Sequence, residues 1–552
     1  MSEQGHQEFA EQLEQICTQY ANKNAIVYMR NDGSKTFFTF KEIYNHIQVS
    51  REQFAQAGLH SGDRVAIIAP HSPFAIMAGL SLACSNLTSV LIDASLPAEE
   101  INRLLELSDV RAVFIVTDLY DGMDKSLATE IPVFQITTIA DNLEIFEGSA
   151  SSVKKGPTTD PHLDVIAILY SSGTTASVKG VMIPYRSVNI ARELYLINTG
   201  LNADMTYLLV LPFNHVAGYS NSLQYFLTGC EIGMIEDVDA PKLSKGLSEY
   251  QPVFFAMVPR VYEVIENKIR QEVRRKGASA EKYVLFMLSC SGFLRKNFGI
   301  NIGKKLFKNI NAKVFGKNFY GLGTGATPIK ESTAQFYLNL GFEWANFYSL
   351  TETFVPCVGT GIHDHYPAGT EGNVKRHPGI EIKIHEPDEN GIGEIRIKSV
   401  LMMKGYFRDT ELTAAAFDRD GYFKTGDLGY IDKKDYLHVT GRIKEAILLH
   451  TGKKVAPSDV DDLYNPLCPD NAMASCGVPN RGGVYDEIHL FIENAKLSAD
   501  EKQDLRKSII EFSAQTSTLY QIASIHFIDK LPTTSVGKVK RFQLKEIALT
   551  EQ

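Results

Sequence analysis

The sequence predicts an α/β fold: layered βαβ sheets make a large N-terminal part, a β-rich unit follows, and a small α+β unit closes the chain. Three observations predict it. In the first third, helix-period stripes alternate with short apolar runs, the pattern of strands joined by crossover helices in a largely parallel sheet. After about residue 380 the texture changes to short strands and tight turns, EIKIHEP, DENGIGEIRIK and YLHVTG. Near residue 440 it changes again, to the mixed pattern of a smaller unit.

Phe40 to Ala57 sets Ile43, Ile47 and Phe54 on one helical face and stops at Gly58, a residue that favours helix ends. GDRVAIIAP then reads as a buried strand, Phe74 to Ser85 as a mostly apolar helix, and SVLID as a second strand. Ala98 to Ser108 is a helix opened by Pro97, whose fixed φ suits a first turn. RAVFIV and PVFQIT are strand-like, and the Gly-, Ser-, Thr- and Pro-rich residues 148–161 form a loop. Within residues 253–276, Val261, Ile265, Ile269 and Val273 recur at steps of four, a helix stripe. Its tail, KIRQEVRRK, is basic; it is either a solvated helix end or a docking patch for an acidic carrier protein or the phosphates of CoA.

Composition excludes several classes. With 44% hydrophobic residues in 552 there is ample material for a core, so a wholly disordered chain is ruled out. A formal charge of −9 without a long basic tract argues against nucleic acid as the main partner. The seven Cys are widely spaced and form no CxxC, which suggests neither a disulfide framework nor a zinc site, but reduced thiols in a cytoplasmic protein. The polar, acidic N-terminus lacks the layout of a secretion signal. No apolar window is long enough for a spanning helix, so no integral membrane segment is expected.

The sharpest chemical feature is IAILYSSGTTASVKGVMIP, residues 166–184. An apolar strand, Val165 to Leu169, runs into Ser171, Ser172, Gly173, Thr174 and Thr175, and Lys179–Gly180 follow. Small hydroxyl residues beside glycine let backbone N–H and side-chain O–H groups converge on one anion, and a nearby lysine adds a point charge suited to phosphate. The P-loop pattern is excluded, because Lys179 precedes its glycine and no Ser or Thr follows.

YSSGTTASVKGVM resembles the phosphate-binding signature of the adenylate-forming superfamily, which embraces acyl- and aryl-CoA synthetases, peptide-synthetase adenylation domains and firefly luciferase. It departs from the usual form at Ala176 and Val178, where that form has Gly and Pro. Further matches occur in family order over nearly the whole chain. LPFNHVAGY resembles P-x-F-H-x-x-G, which implies that His215 sits between the carboxylate pocket and the adenylate. GTGATPI resembles the turn that borders acyl group and adenine, which implies a nucleotide contact for Gly325 and Ala326; a flat ligand approaches backbone closely only over small residues. NFYSLTETF resembles Y-G-x-T-E with Ser349 in place of the glycine. The likeness implies that Tyr348 stacks on adenine, Thr351 bonds phosphate and Glu352 helps hold Mg²⁺, which prefers hard oxygen ligands shared with phosphate.

GYFKTGDLGYID resembles G-W-x-x-T-G-D-x-G-x-x-D and implies that Asp427 accepts from both ribose hydroxyls, as a two-oxygen carboxylate can. GRIKEAILLHTGKKVAPSDVDD resembles the next signature, implying a ribose contact for Arg442, a hinge at Lys444 and a thiol-admitting loop at Gly452. LPTTSVGKVKRFQL resembles L-P-R-T-x-x-G-K-x-x-R, which makes Lys538 the mobile lysine of adenylation. The likeness implies a large domain over residues 1–441 and a mobile lid over 442–552. His363, Asp364 and His365 could suggest a metal site, but three adjacent residues cannot all face one ion in regular structure.

FFAMVPRVYEVIENKI resembles a segment of long-chain acyl-CoA synthetases. The resemblance therefore implies an ATP-, Mg²⁺- and CoA-dependent ligase that turns a carboxylic acid, a medium- or long-chain fatty acid, into acyl-AMP and then acyl-CoA. The absence of a D-S-L phosphopantetheine site implies a stand-alone chain. Three alternatives stay open: delivery of the acyl group to the phosphopantetheine of an acyl carrier protein, a luciferase-like oxidase acting on the adenylate, and a non-catalytic nucleotide or lipid binder, which Ala176, Val178 and Ser349 would motivate.

Overall fold

The structure is a computed structural model. It describes residues 2–116, 133–136, 164–171, 178–200, 202–317, 319, 321–325, 329–355, 358–359, 369–451, 453–468, 471–480, 482–494, 497–534 and 538–551. It is a mixed α/β protein. A seven-stranded sheet runs in the order Gly405–Tyr406, Lys179–Pro184, Val165–Ser171, Thr88–Ile92, Arg64–Ile68, Ala112–Val116 and Val133–Ile136. Its last five strands are mutually parallel, and its first two pairings are antiparallel, so that only Lys179–Pro184 runs against the rest. The three strands over 64–116 are buried along their whole length. Helices cover both faces of such a sheet, which is why they read as unbroken apolar runs rather than as alternation.

An eight-stranded sheet carries five consecutive parallel pairings, from Asn24–Met29 through Glu231–Ile235, Thr206–Leu209, Phe254–Met257 and Gly321–Gly325 to Glu343–Tyr348, with an antiparallel strand at either edge. A five-stranded antiparallel sheet is built from residues 372–442. Past it come a two-stranded ribbon, Ile447–Leu448 with Lys454–Val455, and a three-stranded sheet, Met473–Pro479, Asp486–Glu493 and Ser524–Ile528. The helices Pro457–Tyr464, Ala499–Gln515 and Arg541–Glu551 accompany that sheet, and the residues from Ile447 onward bury cores of their own.

Two elements differ from the sequence reading. Ser2–Gln19, read there only as polar and acidic, is a helix that sinks Phe9, Leu13, Ile16 and Cys17 into the main core. The segment 253–276 divides, although its stripe, Val261, Ile265, Ile269 and Val273, lies wholly within one helix. Phe254–Met257 is a strand, because it pairs with Gly321–Gly325 inside the eight-stranded sheet, and the helix begins only at Pro259. Cys17, Cys84, Cys230, Cys290, Cys468 and Cys476 are unpaired thiols, and burial pushes those of Cys17 and Cys84 up to about 12. Among the described residues, no helix is long and apolar enough to cross a membrane.

Candidate active site

Parallel strands leave their carboxyl ends on one side, where open α/β sheets collect ligands. Here the ends of Val165–Ser171, Phe254–Met257, Gly321–Gly325 and Glu343–Tyr348 border one cavity of about 570 Å³. Of the residues singled out in the sequence, Lys179, His215, Gly325, Thr351, Glu352, Arg442, Lys444 and Lys538 line it. Ser171 lies opposite Lys179 in the antiparallel register of the hairpin. Tyr348 and Asp427 do not line the cavity; they are buried just behind its wall. Ser172, Gly173, Thr174, Thr175, Ala326, Gly452 and the 363–365 triplet lie outside the described residues.

The buried acid is held from two sides. The Tyr348 hydroxyl donates to Asp427 Oδ2 at 2.6 Å, and Arg442 Nε lies 2.8 Å from Asp427 Oδ1. The antiparallel pairing of Phe423–Ile431 with Tyr436–Arg442 sets the last two opposite each other, in direct register. Two of the roughly four lone-pair positions of the carboxylate remain for a further donor.

Glu352 accepts from the Tyr406 hydroxyl at 2.9 Å, and the Lys179 ammonium sits 5.1 Å from the centre of the same Tyr406 ring. Tyr406 thus spaces a cation from an anion on the cavity wall. No sequence signature marked it. Its placement comes from an edge strand, Gly405–Tyr406, that pairs with Lys179–Pro184 from more than two hundred residues away. Among the described residues no three His, Cys, Asp or Glu side chains converge as a metal cage. The donor set at Glu352 nevertheless fits Mg²⁺, which usually takes one or two carboxylates and fills its octahedron with phosphate oxygens and water.

His215 caps the helix Val216–Leu227, its Nδ1 accepting the Ala217 N–H at 3.2 Å. Burial pushes its pKa down to about 4, so near neutrality the ring is uncharged, and with Nδ1 accepting, the proton sits on Nε2. The helix can start so close to the preceding turn only because residue 218 is glycine: a Cβ there would lie 1.9 Å from the Pro212 carbonyl oxygen.

Phe354, also on the cavity wall, has φ 63° and ψ −57°, and the next N–H, of Val355, donates to the Thr353 carbonyl at 2.8 Å. This is a γ-turn of the rare positive-φ hand, strain of a kind that clusters at functional sites.

Lys538 is half-buried. Its N–H donates to the Thr534 hydroxyl at 3.1 Å while Thr534 N–H donates to the Lys538 carbonyl at 2.8 Å. Burial first, and the Arg442 guanidinium second, push its ammonium below the ordinary lysine range, against the pull of Glu445 and Asp427. Three residues on, Arg541 fastens the segment: Nη2 lies 2.6 Å from Asp461, and Nη1 donates to the Ser475 carbonyl at 3.1 Å.

A second buried carboxyl stands near Asp427. Burial, then repulsion from Asp427, pushes Glu371 up to about 8. The folded chain therefore keeps a proton that the unfolded chain has released. Stability falls as pH rises from the unfolded carboxyl value towards 8, and the loss levels off above it. Glu371→Gln is expected to flatten urea-unfolding stability between about pH 5 and 8, by up to about 1.4 kcal/mol per pH unit. An unchanged slope would mean that Glu371 is ionised in the folded protein.

The model of the AMP-binding enzyme family matches residues 13–407. The chain is 28% identical over 463 residues to the long-chain-fatty-acid–CoA ligase FadD15 of Mycobacterium bovis, covering 79% of this chain and 75% of that protein. It is 25% identical over 559 residues to 4-coumarate–CoA ligase 1 of Arabidopsis thaliana, covering 96% of this chain and 91% of that one. In fold it resembles O-succinylbenzoate coenzyme A synthetase (MenE) of Bacillus subtilis in complex with ATP and magnesium ion. That likeness has a TM-score of 0.70 at 20% identity over 97% of this chain and 99% of the other.

Proposed function

The chain belongs to the family of AMP-binding enzymes, and from that premise we propose that it is an AMP-forming acid–thiol ligase. It converts a carboxylic acid, a medium- or long-chain fatty acid, and ATP into acyl-AMP and pyrophosphate. It then passes the acyl group to the thiol of CoA and releases AMP. One observation carries the reading: Lys179, Glu352, Arg442 and Lys538, from four distant stretches of sequence, converge on a cavity whose remaining wall includes Leu194, Val216, Phe254 and Met257. The likeness to FadD15 supports a fatty acid. The buried, unpaired thiols support a reducing compartment, the cytoplasm.

In the first step a carboxylate oxygen attacks the α-phosphorus, the bond to the bridging oxygen breaks, and the electron pair leaves with pyrophosphate. Charge gathers on phosphate oxygens, so the protein's task is positioning and electrostatic stabilisation. Lys179 and the hydroxyl-rich loop from Ser171 hold the outer phosphates, Thr351 a phosphate oxygen, and Lys538 the oxygens at the reacting phosphorus. Mg²⁺, when bound beside Glu352, neutralises charge on the same oxygens. Neutral His215 orients the acid without supplying a cation. Asp427 and Arg442 hold the ribose.

Residues 1–441 then act as the main domain and 442–552 as the lid, hinged at Lys444, with the Gly452 loop admitting the thiol. Lys444 is exposed, directly beyond the strand Tyr436–Arg442. Fixing its φ with Lys444→Pro is expected to separate the half-reactions, sparing one and slowing the other. Equal loss of acyl-AMP formation and of thiolysis of supplied acyl-AMP would count against the hinge.

A second reading of the acid rests on Asn221. It is buried on the cavity wall, and its Oδ1 accepts from the Tyr195 hydroxyl at 2.5 Å, which leaves the amide N–H groups to donate elsewhere. An amide donor on the cavity wall favours a ligand that can accept from it, so this reading has an acid with a polar or aromatic far end. Pyrophosphate release over acids of graded length and aromaticity, with CoA or holo-carrier protein as acceptor, tests both. Rates that climb with chain length and need CoA support the first reading. A preference for polar-ended acids, lost in Asn221→Leu, supports the second. No acid-dependent release with any acid sinks the ligase reading itself.

A further inference from the structure

Between Arg274 and Lys317 the sequence carries eleven Lys and Arg against a single acid, Glu281, in a chain whose net charge is −9. The middle of this stretch is the helix Ala278–Phe298. Its inner face is firmly seated. Leu288 and Ser291 are buried, Val284 and Met287 pack against a core cluster that includes Phe315, Tyr337 and Trp344, and Arg295 lies 2.6 Å from Glu343 while donating to the Phe342 carbonyl at 3.1 Å.

The opposite face carries uncovered aromatic rings. Tyr283, Phe286 and Phe293 fall at steps of three and seven, one stripe of a 3.6-residue helix. Tyr283 and Phe286 are 64% exposed and Phe293 60%; Phe298, the last residue of the helix, is 64% exposed with its ring 6.1 Å from that of Phe293, and Ile300 just beyond is 50% exposed. Exposed lysines flank the stripe, Lys282 and Lys296 on the helix and Lys276, Lys305 and Lys308 beside it. A single exposed ring needs no explanation, but several large apolar side chains exposed on one helix face mark an interaction surface.

From this juxtaposition we propose that the outer face of the helix Ala278–Phe298 is a docking surface for an anionic lipid bilayer. Outward aromatic rings rimmed by lysines are the make-up of helices that lie in the headgroup region, where rings enter the acyl boundary and ammonium groups meet lipid phosphates. An acidic protein partner would account for the charge but would not call for five large apolar side chains in a row. The helix packs on Pro259–Arg275, which follows directly from the cavity-lining strand Phe254–Met257. The docked face is thus one helix away from the wall of the acid's cavity. The inference is independent of which acid is used, and of the ligase reading.

Co-sedimentation with vesicles tests it, comparing phosphatidylcholine alone with phosphatidylcholine containing phosphatidylglycerol. The wild-type chain is expected to bind the charged vesicles, to leave neutral ones largely in the supernatant, and to be released by high salt. Lys282→Glu with Lys296→Glu should weaken binding to charged vesicles by at least about tenfold. Phe286→Ser with Phe293→Ser should abolish it, and both variants should melt with the wild type because the positions are exposed. The proposal is overturned if the wild type ignores charged vesicles, or if both double variants bind as it does. It is equally overturned if the face instead holds a second copy of the chain, seen as a dimer in sedimentation velocity that Phe286→Ser dissolves, or captures acidic holo-carrier protein while vesicles stay unbound.

Discussion

Lys538→Ala is expected to slow acyl-AMP formation by about 10²–10³-fold, the usual cost of losing one charged contact that matures in the transition state. Thiolysis of supplied acyl-AMP should be nearly unaffected. The expected asymmetry has a structural source. Lys538 stands on a turn tied by its own backbone to Thr534, and Arg541 clamps the following residues to Asp461 and Ser475 in the C-terminal part of the chain. The backbone of the lysine is therefore tied to that part, so under the proposed lid motion it would enter or leave the cavity with it. Its ammonium is also partly desolvated beside Arg442, which makes it a stronger stabiliser of developing negative charge than a solvated lysine. Single-turnover measurement of each half-reaction decides the matter. Equal losses in both would remove Lys538 from the chemistry and make it a folding residue.

How far the sequence could be read follows from how local each determinant is. The parallel strands over 64–116 were legible because burial on both faces leaves no polar alternation, and the intervening helices carry their own stripes. The N-terminal helix was not read, although Phe9, Leu13 and Ile16 have helical spacing; the polar average of the surrounding residues hides the stripe. The eight-stranded sheet was beyond reach. Its strand Asn24–Met29 pairs with Glu231–Ile235, and no local signal announces a partner two hundred residues away.

The site divides the same way. Lys179, Glu352, Arg442 and Lys538 were found through signatures they carry with them. Tyr406 and Phe354 were missed, since the first acts by bridging two other residues and the second by a backbone conformation that composition does not encode. Asp427 was singled out for ribose, yet its bond to Tyr348 could not be foreseen from residues 79 positions apart. Nor was Tyr348 foreseen as a donor to an acid, having been assigned to stacking by likeness alone.

Replacing Asp427 by Asn should change more than the ribose contact. Asp427 is the counter-charge of Arg442 and also pulls the Lys538 ammonium upward, while Arg442 pushes it down. Removing the carboxylate charge leaves two neighbouring cations with less to hold them. Three outcomes follow. Folding stability should drop by about 3 kcal/mol or less, the cost of breaking a buried pair discounted for an Arg442 side chain that is 32% exposed. The KM for ATP should rise about tenfold or more, since a charged acceptor becomes a neutral one. The alkaline limb of acyl-AMP formation should move to lower pH, because Lys538 now loses its proton more readily. Arg442→Ala removes the opposing influence and should move that limb the other way. A pH profile of pyrophosphate release for the two variants therefore separates an electrostatic network from mere scaffolding. If Asp427, Arg442 and Lys538 act through one field, the limbs diverge in opposite directions; limbs that coincide with the wild type in both variants would leave Asp427 a structural acid with no hand on the lysine.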